Sequence, residues 1–114
     1  MTNGSPLKRL KSKNAIERLF REGGVVQTKN LLFRYVKQEK GNGFYIGVSV
    51  AKRNVKRAVD RNRIKRQLRV VVKKNEALLP ALGMGMLIYK GRRLQTTQNI
   101  IEETRSLFNK IKTQ

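Results

Sequence analysis

The sequence predicts a single α+β domain, in which helices pack on one sheet, and three patterns support this class. Apolar residues recur at helical spacing over 58–79, polar and apolar residues alternate within 31–51, and an almost continuous apolar run covers 84–89. A strand, a long helix and a strand in this order form a βαβ unit, because parallel neighbours need a long crossover. The predicted element order is α-β-β-β-α-β-α, a sandwich with a mostly antiparallel central sheet.

The chain has 114 residues, which suits one domain over 1–114 with one modest core. Residues 1–11 read as a flexible basic arm. The absence of Cys and His excludes zinc ribbons, disulfide scaffolds, thiol nucleophiles and an imidazole general base. Because Pro80, Gly83 and Gly85 break the longest apolar stretch, we expect no membrane span or export, and a soluble, cytoplasmic protein.

The first elements are predicted from caps and turn residues. Ser12 suits the N-cap of a helix that runs through Glu22, and Gly23-Gly24 suit its end. Two valines, a polar turn and a strand over 31–36 follow. Gly41-Asn42-Gly43 then predicts a hairpin turn into a strand over 44–51.

One face of this last strand carries Tyr45, Gly47, Ser49 and Ala51, and its centre is small. Side chains of that size leave a shallow trough in a sheet. The trough either allows a helix to pack closely on the sheet or forms the floor of a binding site for an extended ligand.

The segment from Lys52 to Lys74 holds eleven Lys or Arg residues and one acid, Asp60, so half of the net charge of +20 lies here. On a helix, one arc is apolar: Ala58, Ile64, Leu68, Val71, Val72 and Leu79. The opposite side carries a stripe of Asn62, Arg66, Arg69 and Lys73, flanked by Arg63 and Lys65. We call this stripe and its flanks the basic ridge.

Like charges three and four residues apart repel, and an ordinary solvated helix face interleaves acids with bases. The basic ridge lacks such acids, which favours a polyanion-binding surface over a merely basic one. Arginine dominates its centre, and the planar guanidinium makes bidentate phosphate contacts. Nucleic acid is the expected partner, with an acidic membrane surface as the second alternative.

Self-sufficient catalysis is not expected. The seven acids are scattered, so they offer neither a two-metal carboxylate cluster nor an acid-base pair, and the glycines lack the spacing of a phosphate loop. The aromatic residues Phe20, Phe33 and Tyr35 are candidates for stacking on unpaired bases, although Phe20 and Phe33 also suit the core. Of the three, Tyr35 is expected to be the most exposed.

The hexapeptide RNRIKR at 61–66 closely resembles the arginine-rich signature of bacterial ribonuclease P protein subunits. RLKSKNAIERLFREG at 9–23 resembles that family's opening helix, and IGVSVAKR at 46–53 resembles the strand before its basic helix. The resemblance covers nearly the whole chain. It implies the family's α+β sandwich with a left-handed crossover.

The resemblance also implies a role. The protein would assist an RNA catalyst that uses Mg²⁺ to remove the 5′ leader of precursor tRNA, and would itself hold no metal tightly and need no protein partner. By position, contacts to the catalytic RNA would come from Lys52, Arg53, Lys56, Arg57, Arg61, Asn62, Arg63, Lys65, Arg66 and Arg69. A cleft between the first helix and the sheet would take the leader through Phe20, Tyr35, Gly47 and Ser49.

Two other functions share the charge and size of this chain. A ribosomal or other structural RNA-binding protein would co-sediment with ribosomal subunits at high salt. A nucleoid or membrane-surface polycation would bind duplex DNA and folded RNA equally well. The order of residues in the arginine-rich string favours the ribonuclease P subunit over both.

Overall fold

The computed structural model describes residues 7–112, which form one five-stranded sheet with three α-helices. The elements in chain order are β1 (Leu7–Arg9), α1 (Lys13–Glu22), β2 (Gly24–Gln27), β3 (Leu31–Lys37), β4 (Phe44–Val50), α2 (Ala58–Lys74), a short 3₁₀ turn (Glu76–Leu78), β5 (Gly83–Tyr89) and α3 (Thr97–Lys112). Across the sheet the strand order is β1-β4-β5-β3-β2.

The predicted βαβ unit is confirmed, since β4 and β5 are parallel neighbours joined through α2. The left hand of this crossover stays a prediction. The predicted hairpin of β3 and β4 is wrong, because β5 lies between them and pairs with both. The chain does reverse at Gly41 and Gly43, whose φ angles are 142° and 150°. The connection passes from β3 over the end of β5 to reach β4.

The described part of the sheet is evenly mixed rather than mostly antiparallel. Two pairs are antiparallel, β2 with β3 and β3 with β5. The other two pairs are parallel, β1 with β4 and β4 with β5. The strand β1 was not predicted, and it gives residues 7–9 of the expected flexible arm a fixed position. Leu10, which follows it, is buried. The rest of that arm, residues 1–6, lies outside the described residues.

The helices cover the two faces of the sheet unequally. The main core lies between the sheet and the pair α2 and α3, and it contains Phe33, Leu68 and Phe108. A smaller core lies under α1, where Leu19 meets Met84 and Met86. In the described part of the chain, no helix is both long and apolar enough to cross a membrane.

The predicted apolar face of α2 is largely correct. Ile64, Leu68, Val71 and Val72 are buried, and Leu79 beyond the helix is buried as well. Ala58 is exposed, contrary to prediction, and the first buried residue of α2 is Ile64. Two buried polar side chains tie α2 to the region of α3: Gln67 Nε2 donates to the carbonyl of Gln95, which precedes α3, at 3.0 Å, and Nδ2 of Asn75, the C-cap of α2, donates to the Ile101 carbonyl of α3 at 3.2 Å.

Candidate nucleic-acid interface

The basic ridge faces solvent, as the helical spacing predicts. Asn62, Arg63, Arg66, Arg69 and Lys73 are exposed, and Lys65 is half-buried on the flank. Of the basic ridge residues, Lys73 alone forms an ion pair within 4.0 Å in the described part of the chain, and the other such pairs there involve Arg18 and Arg21 of α1. The guanidinium groups at the centre of the basic ridge therefore have no carboxylate partner in this part of the chain.

Arg61 has a different role from its neighbours. Its Nη1 donates to the carbonyl of Val55 at 2.9 Å and to the carbonyl of Lys56 at 2.7 Å. The side chain thus holds the loop before α2 against the first turn of the helix, where Arg57 makes no side-chain cap. Arg61 therefore fixes the backbone that presents Lys56 and Arg57, and its predicted contact with the RNA stays a prediction.

The loop 51–57 carries four of the predicted contact residues, Lys52, Arg53, Lys56 and Arg57, and all four are exposed. Its backbone is held in place from within, because the amides of Asn54 and Val55 both donate to the Ala51 carbonyl. Val55 is buried in the main core. A rigid loop loses little conformational entropy when its exposed cations bind a phosphate.

A second basic loop, 90–96, lies beside the first because the carboxyl ends of the parallel strands β4 and β5 share one end of the sheet. Asn54 Nδ2 donates to the Lys90 carbonyl at 2.7 Å and joins the two loops. Arg92 and Arg93 are exposed on this loop. The sequence shows these residues as a basic loop, but only the pairing of β4 with β5 places them next to the predicted site.

The Tyr89 hydroxyl anchors the second loop by donating to the Arg93 carbonyl. Burial and the negative charge of Glu103 raise the pKa of Tyr89 above its ordinary value of 10.0. The neutral phenol is therefore the form that the fold favours. The contribution of this neutral phenol to folding stability is fully present below the pKa of Tyr89 in the unfolded chain. It is lost as the pH rises through the higher pKa of Tyr89 in the folded protein.

We expect Tyr89→Phe to flatten the fall in stability above pH 10, because the variant has no phenol to ionise. Urea unfolding of both proteins at neutral and alkaline pH measures this. At neutral pH the variant should lose about 1 kcal/mol for the missing hydrogen bond. Parallel pH curves for the two proteins would show that Tyr89 does not couple folding to pH.

The turn between β2 and β3 reaches the same end of the sheet and presents the exposed Lys29. The Glu103 carboxylate of α3 fixes this turn by accepting from the Thr28 hydroxyl, from the Asn30 amide at 2.7 Å and from Asn30 Nδ2 at 3.0 Å. Neutral donors occupy this carboxylate, and in the described part of the chain it forms no ion pair with Lys29, Arg92 or Arg93.

The face of the sheet under α1 holds the predicted leader cleft only in part. Phe20 is 47% exposed, and Arg34 lies over its ring with 5.0 Å between the guanidinium carbon and the ring centroid. The prediction that Phe20 suits the core is thus wrong, because this ring lies at the rim of α1 beyond Leu19. An exposed ring stacked on a guanidinium is suited to an unpaired base.

Tyr35 lies on the other face of the sheet. It is 8% exposed and stacks on Phe33 with 5.8 Å between ring centroids. The prediction that Tyr35 is the most exposed of the three aromatic residues is wrong, because alternation along β3 places it with Phe33 in the main core. Tyr35 is therefore outside any cleft between α1 and the sheet.

Gly47 and Ser49 do face α1, and both are half-buried. The space over Gly47 is already occupied, since a Cβ there would lie 3.0 Å from Met86 Cε and 3.6 Å from Leu10 Cβ. Close packing, one of the two uses weighed for the trough, explains Gly47. Its predicted contact with a leader stays a prediction, as does that of Ser49.

A sheet with one helix of uncompensated arginines, flanked by two rigid basic loops, defines a small α+β protein of the polyanion-binding class. The family model described as Ribonuclease P matches residues 5–112. The chain belongs to this family.

Relatives with known names match parts of the chain. The ribonuclease P protein component of Proteus mirabilis is 48% identical over 46 residues, which are 40% of this chain and 39% of that protein. The ribonuclease P protein component of Brevibacillus brevis is 34% identical over 80 residues, 70% of this chain and 62% of that protein. The chain thus spans about two fifths of the first relatives that it matches.

Solved structures share the fold. The RNase P protein of Staphylococcus aureus matches with a TM-score of 0.78 and 24% identity, over 91% of this chain and 94% of that chain. The RNase P protein from Thermotoga maritima matches with a TM-score of 0.75 and 19% identity, over 90% of this chain and 96% of that chain.

Proposed function

We propose that this chain is the protein subunit of ribonuclease P, which binds the catalytic RNA and assists removal of the 5′ leader from precursor tRNA. The observation that carries the proposal is the basic ridge, whose central guanidinium groups lack carboxylate partners in the described part of the chain. The chain also belongs to the Ribonuclease P family. The two loops at the end of the sheet continue this surface toward Arg92 and Arg93. The phosphates of a folded RNA supply the missing counter-charge.

In this proposal the RNA carries the chemistry and holds the Mg²⁺ ions. The described residues contain no group of three acids, histidines or cysteines that would hold a metal ion. The chain contributes cations that screen phosphate repulsion, which lowers the magnesium concentration that the RNA needs to adopt its active form. Precursor tRNA is bound through its unpaired leader, on the face of the sheet near Phe20.

Reconstitution tests the proposed function. The protein is added to a bacterial ribonuclease P RNA at low magnesium, and cleavage of the precursor tRNA leader is followed over time. We expect faster cleavage with the protein than without it, and a smaller difference at high magnesium, where the ions replace the protein's charge. No gain in cleavage at low magnesium would overturn the proposal.

We expect Phe20→Ala to weaken binding of leader-bearing precursor tRNA to the holoenzyme by about tenfold, because stacking on one base contributes about 1–3 kcal/mol. Binding of mature tRNA, which has no leader, should not change. Tyr35→Phe is the matched control and should alter neither affinity. Equal losses for the two tRNAs would remove Phe20 from the leader site.

A further inference from the structure

The edge strand β1 covers only half of its neighbour β4. The pairing runs over Phe44, Tyr45 and Ile46, and the Leu10 amide then donates to the Ile46 carbonyl at 3.0 Å. After this bond the chain turns away into α1. The outer edge of β4 is therefore uncovered by β1 from Gly47 onward.

Alternation along β4 shows which backbone groups lie on this open edge. The Ala51 amide donates to the Tyr89 carbonyl of β5 at 2.9 Å, so odd-numbered residues of β4 point their backbone groups toward β5. Even-numbered residues point the other way, as Ile46 does toward Leu10. The amide and carbonyl of Val48 and the amide of Val50 thus point outward, where β1 offers them no partner.

A cavity of about 500 Å³ lies along this edge between β1 and α2, and Ile16 of α1, Gly47 and Met86 also line it. Ile46, Val48 and Val72 give it an apolar floor, and the cations Arg9, Arg69 and Lys73 stand on its walls. No acid of the described chain lines the cavity, although Glu76 lies 3.6 Å from Lys73 Nζ at its margin. We call this cavity the edge groove.

The edge groove combines the groups that a nucleotide needs. An apolar floor accepts the face of a base, and guanidinium and backbone amide groups bind phosphate oxygens. A peptide strand suits it less well, because the open edge of β4 is short and added strands usually pair over five or six residues. Arg69 and Lys73 also belong to the basic ridge, so an RNA on that ridge reaches the edge groove directly.

We propose that the edge groove binds one unpaired nucleotide of the ribonuclease P RNA, with its base on Val48 and Val72 and its phosphate between Arg9 and Arg69. The site rests on the proposed function, since it assumes that the RNA lies along α2. Phe20 does not line the edge groove, but Gly47, one of the residues predicted for the leader, does, so ribonuclease P RNA and precursor tRNA have to be tested separately.

Amide hydrogen exchange on the full chain tests the site. In the free protein, Val48 should exchange quickly, whereas Gly47 and Ser49, which point toward β5, should exchange slowly. Addition of ribonuclease P RNA alone should slow exchange at Val48 by about tenfold or more. Unchanged exchange in the complex would overturn the site. Slower exchange at Val48 only when precursor tRNA is also present would overturn it as well. The same holds if exchange at Val48 slows with rising protein concentration in the absence of RNA.

A pair of charge variants gives an independent measurement. Arg9→Glu removes a wall of the edge groove, while Lys13→Glu makes the same charge change on α1, outside the groove. We expect RNA affinity to fall about tenfold for Arg9→Glu and about twofold for Lys13→Glu. Equal losses would show that only net charge matters. The unmodified protein can accelerate leader cleavage while the Arg9→Glu and Lys13→Glu variants bind the RNA with equal affinity. That result would overturn the nucleotide site in the edge groove and leave the proposed function in place.

Discussion

Replacing Arg66 with glutamate should weaken binding of ribonuclease P RNA by roughly 10- to 100-fold, because the variant loses a charge-assisted phosphate contact and adds a repulsive charge. The measurement is filter binding over a series of salt concentrations. The slope of log affinity against log salt should fall by about one, which is the signature of one lost phosphate contact.

The same variant should fold at least as stably as the unmodified chain. Arg66 is exposed and lies one helical turn from Arg63 and Arg69, so a glutamate there relieves repulsion by a few tenths of a kcal/mol per pair. Arg105→Glu, on the exposed side of α3, is the matched control. A similar loss of RNA affinity in both variants would show that total charge, and not the basic ridge, drives binding.

Replacing Phe33 with alanine should lower the free energy of unfolding by about 3–5 kcal/mol. The ring is fully buried, and its centroid lies 5.0 Å from that of Phe108 and 6.5 Å from that of Phe44. It also rests on Gly85, where a Cβ would lie 2.4 Å from Phe33 Cζ. A cavity at this point would loosen β3, β4, β5 and α3 together. Urea unfolding measures the loss.

Phe20→Ala provides the comparison for stability. The two substitutions remove the same side chain, but Phe20 is 47% exposed and leaves no cavity. We expect a loss below about 1 kcal/mol for Phe20→Ala, mainly from its contact with Arg34. If both variants lost the same stability, the ring of Phe20 would have to be packed and not available to an RNA base.

Local signals in the sequence predicted most elements of this fold. Ser12 caps α1 as expected, since its Oγ accepts from the Ala15 amide at 3.2 Å, and Thr96 does the same for α3 through the Asn99 amide. The position of β5 between β3 and β4 was not predictable from turn residues. Turn residues indicate only that the chain reverses. Which strands pair depends on burial, and β5, the most apolar strand, takes the central position because both of its faces are buried there.

The candidate site was predicted where helix geometry alone decides exposure. The spacing of Arg66, Arg69 and Lys73 places them on one face of α2 whatever lies around them. Phe20 and Tyr35 were misplaced because each lies on an element whose two sides both carry apolar residues, so the buried side depends on the packing of α1 and α3. The hydrogen bonds from Arg61 to the carbonyls of Val55 and Lys56 were not predicted, because they depend on a loop conformation that the sequence does not display.

The central position of β5 sets a time order for assembly during translation. The strands β3 and β4 are made first, but each borders a gap that only residues 83–89 can fill. Until the ribosome has released that segment, α2 has no completed sheet to pack on, and long-range pairing of this kind is slow. The arginine-bearing face of α2 should therefore take its final position only after β5 has paired with both β3 and β4.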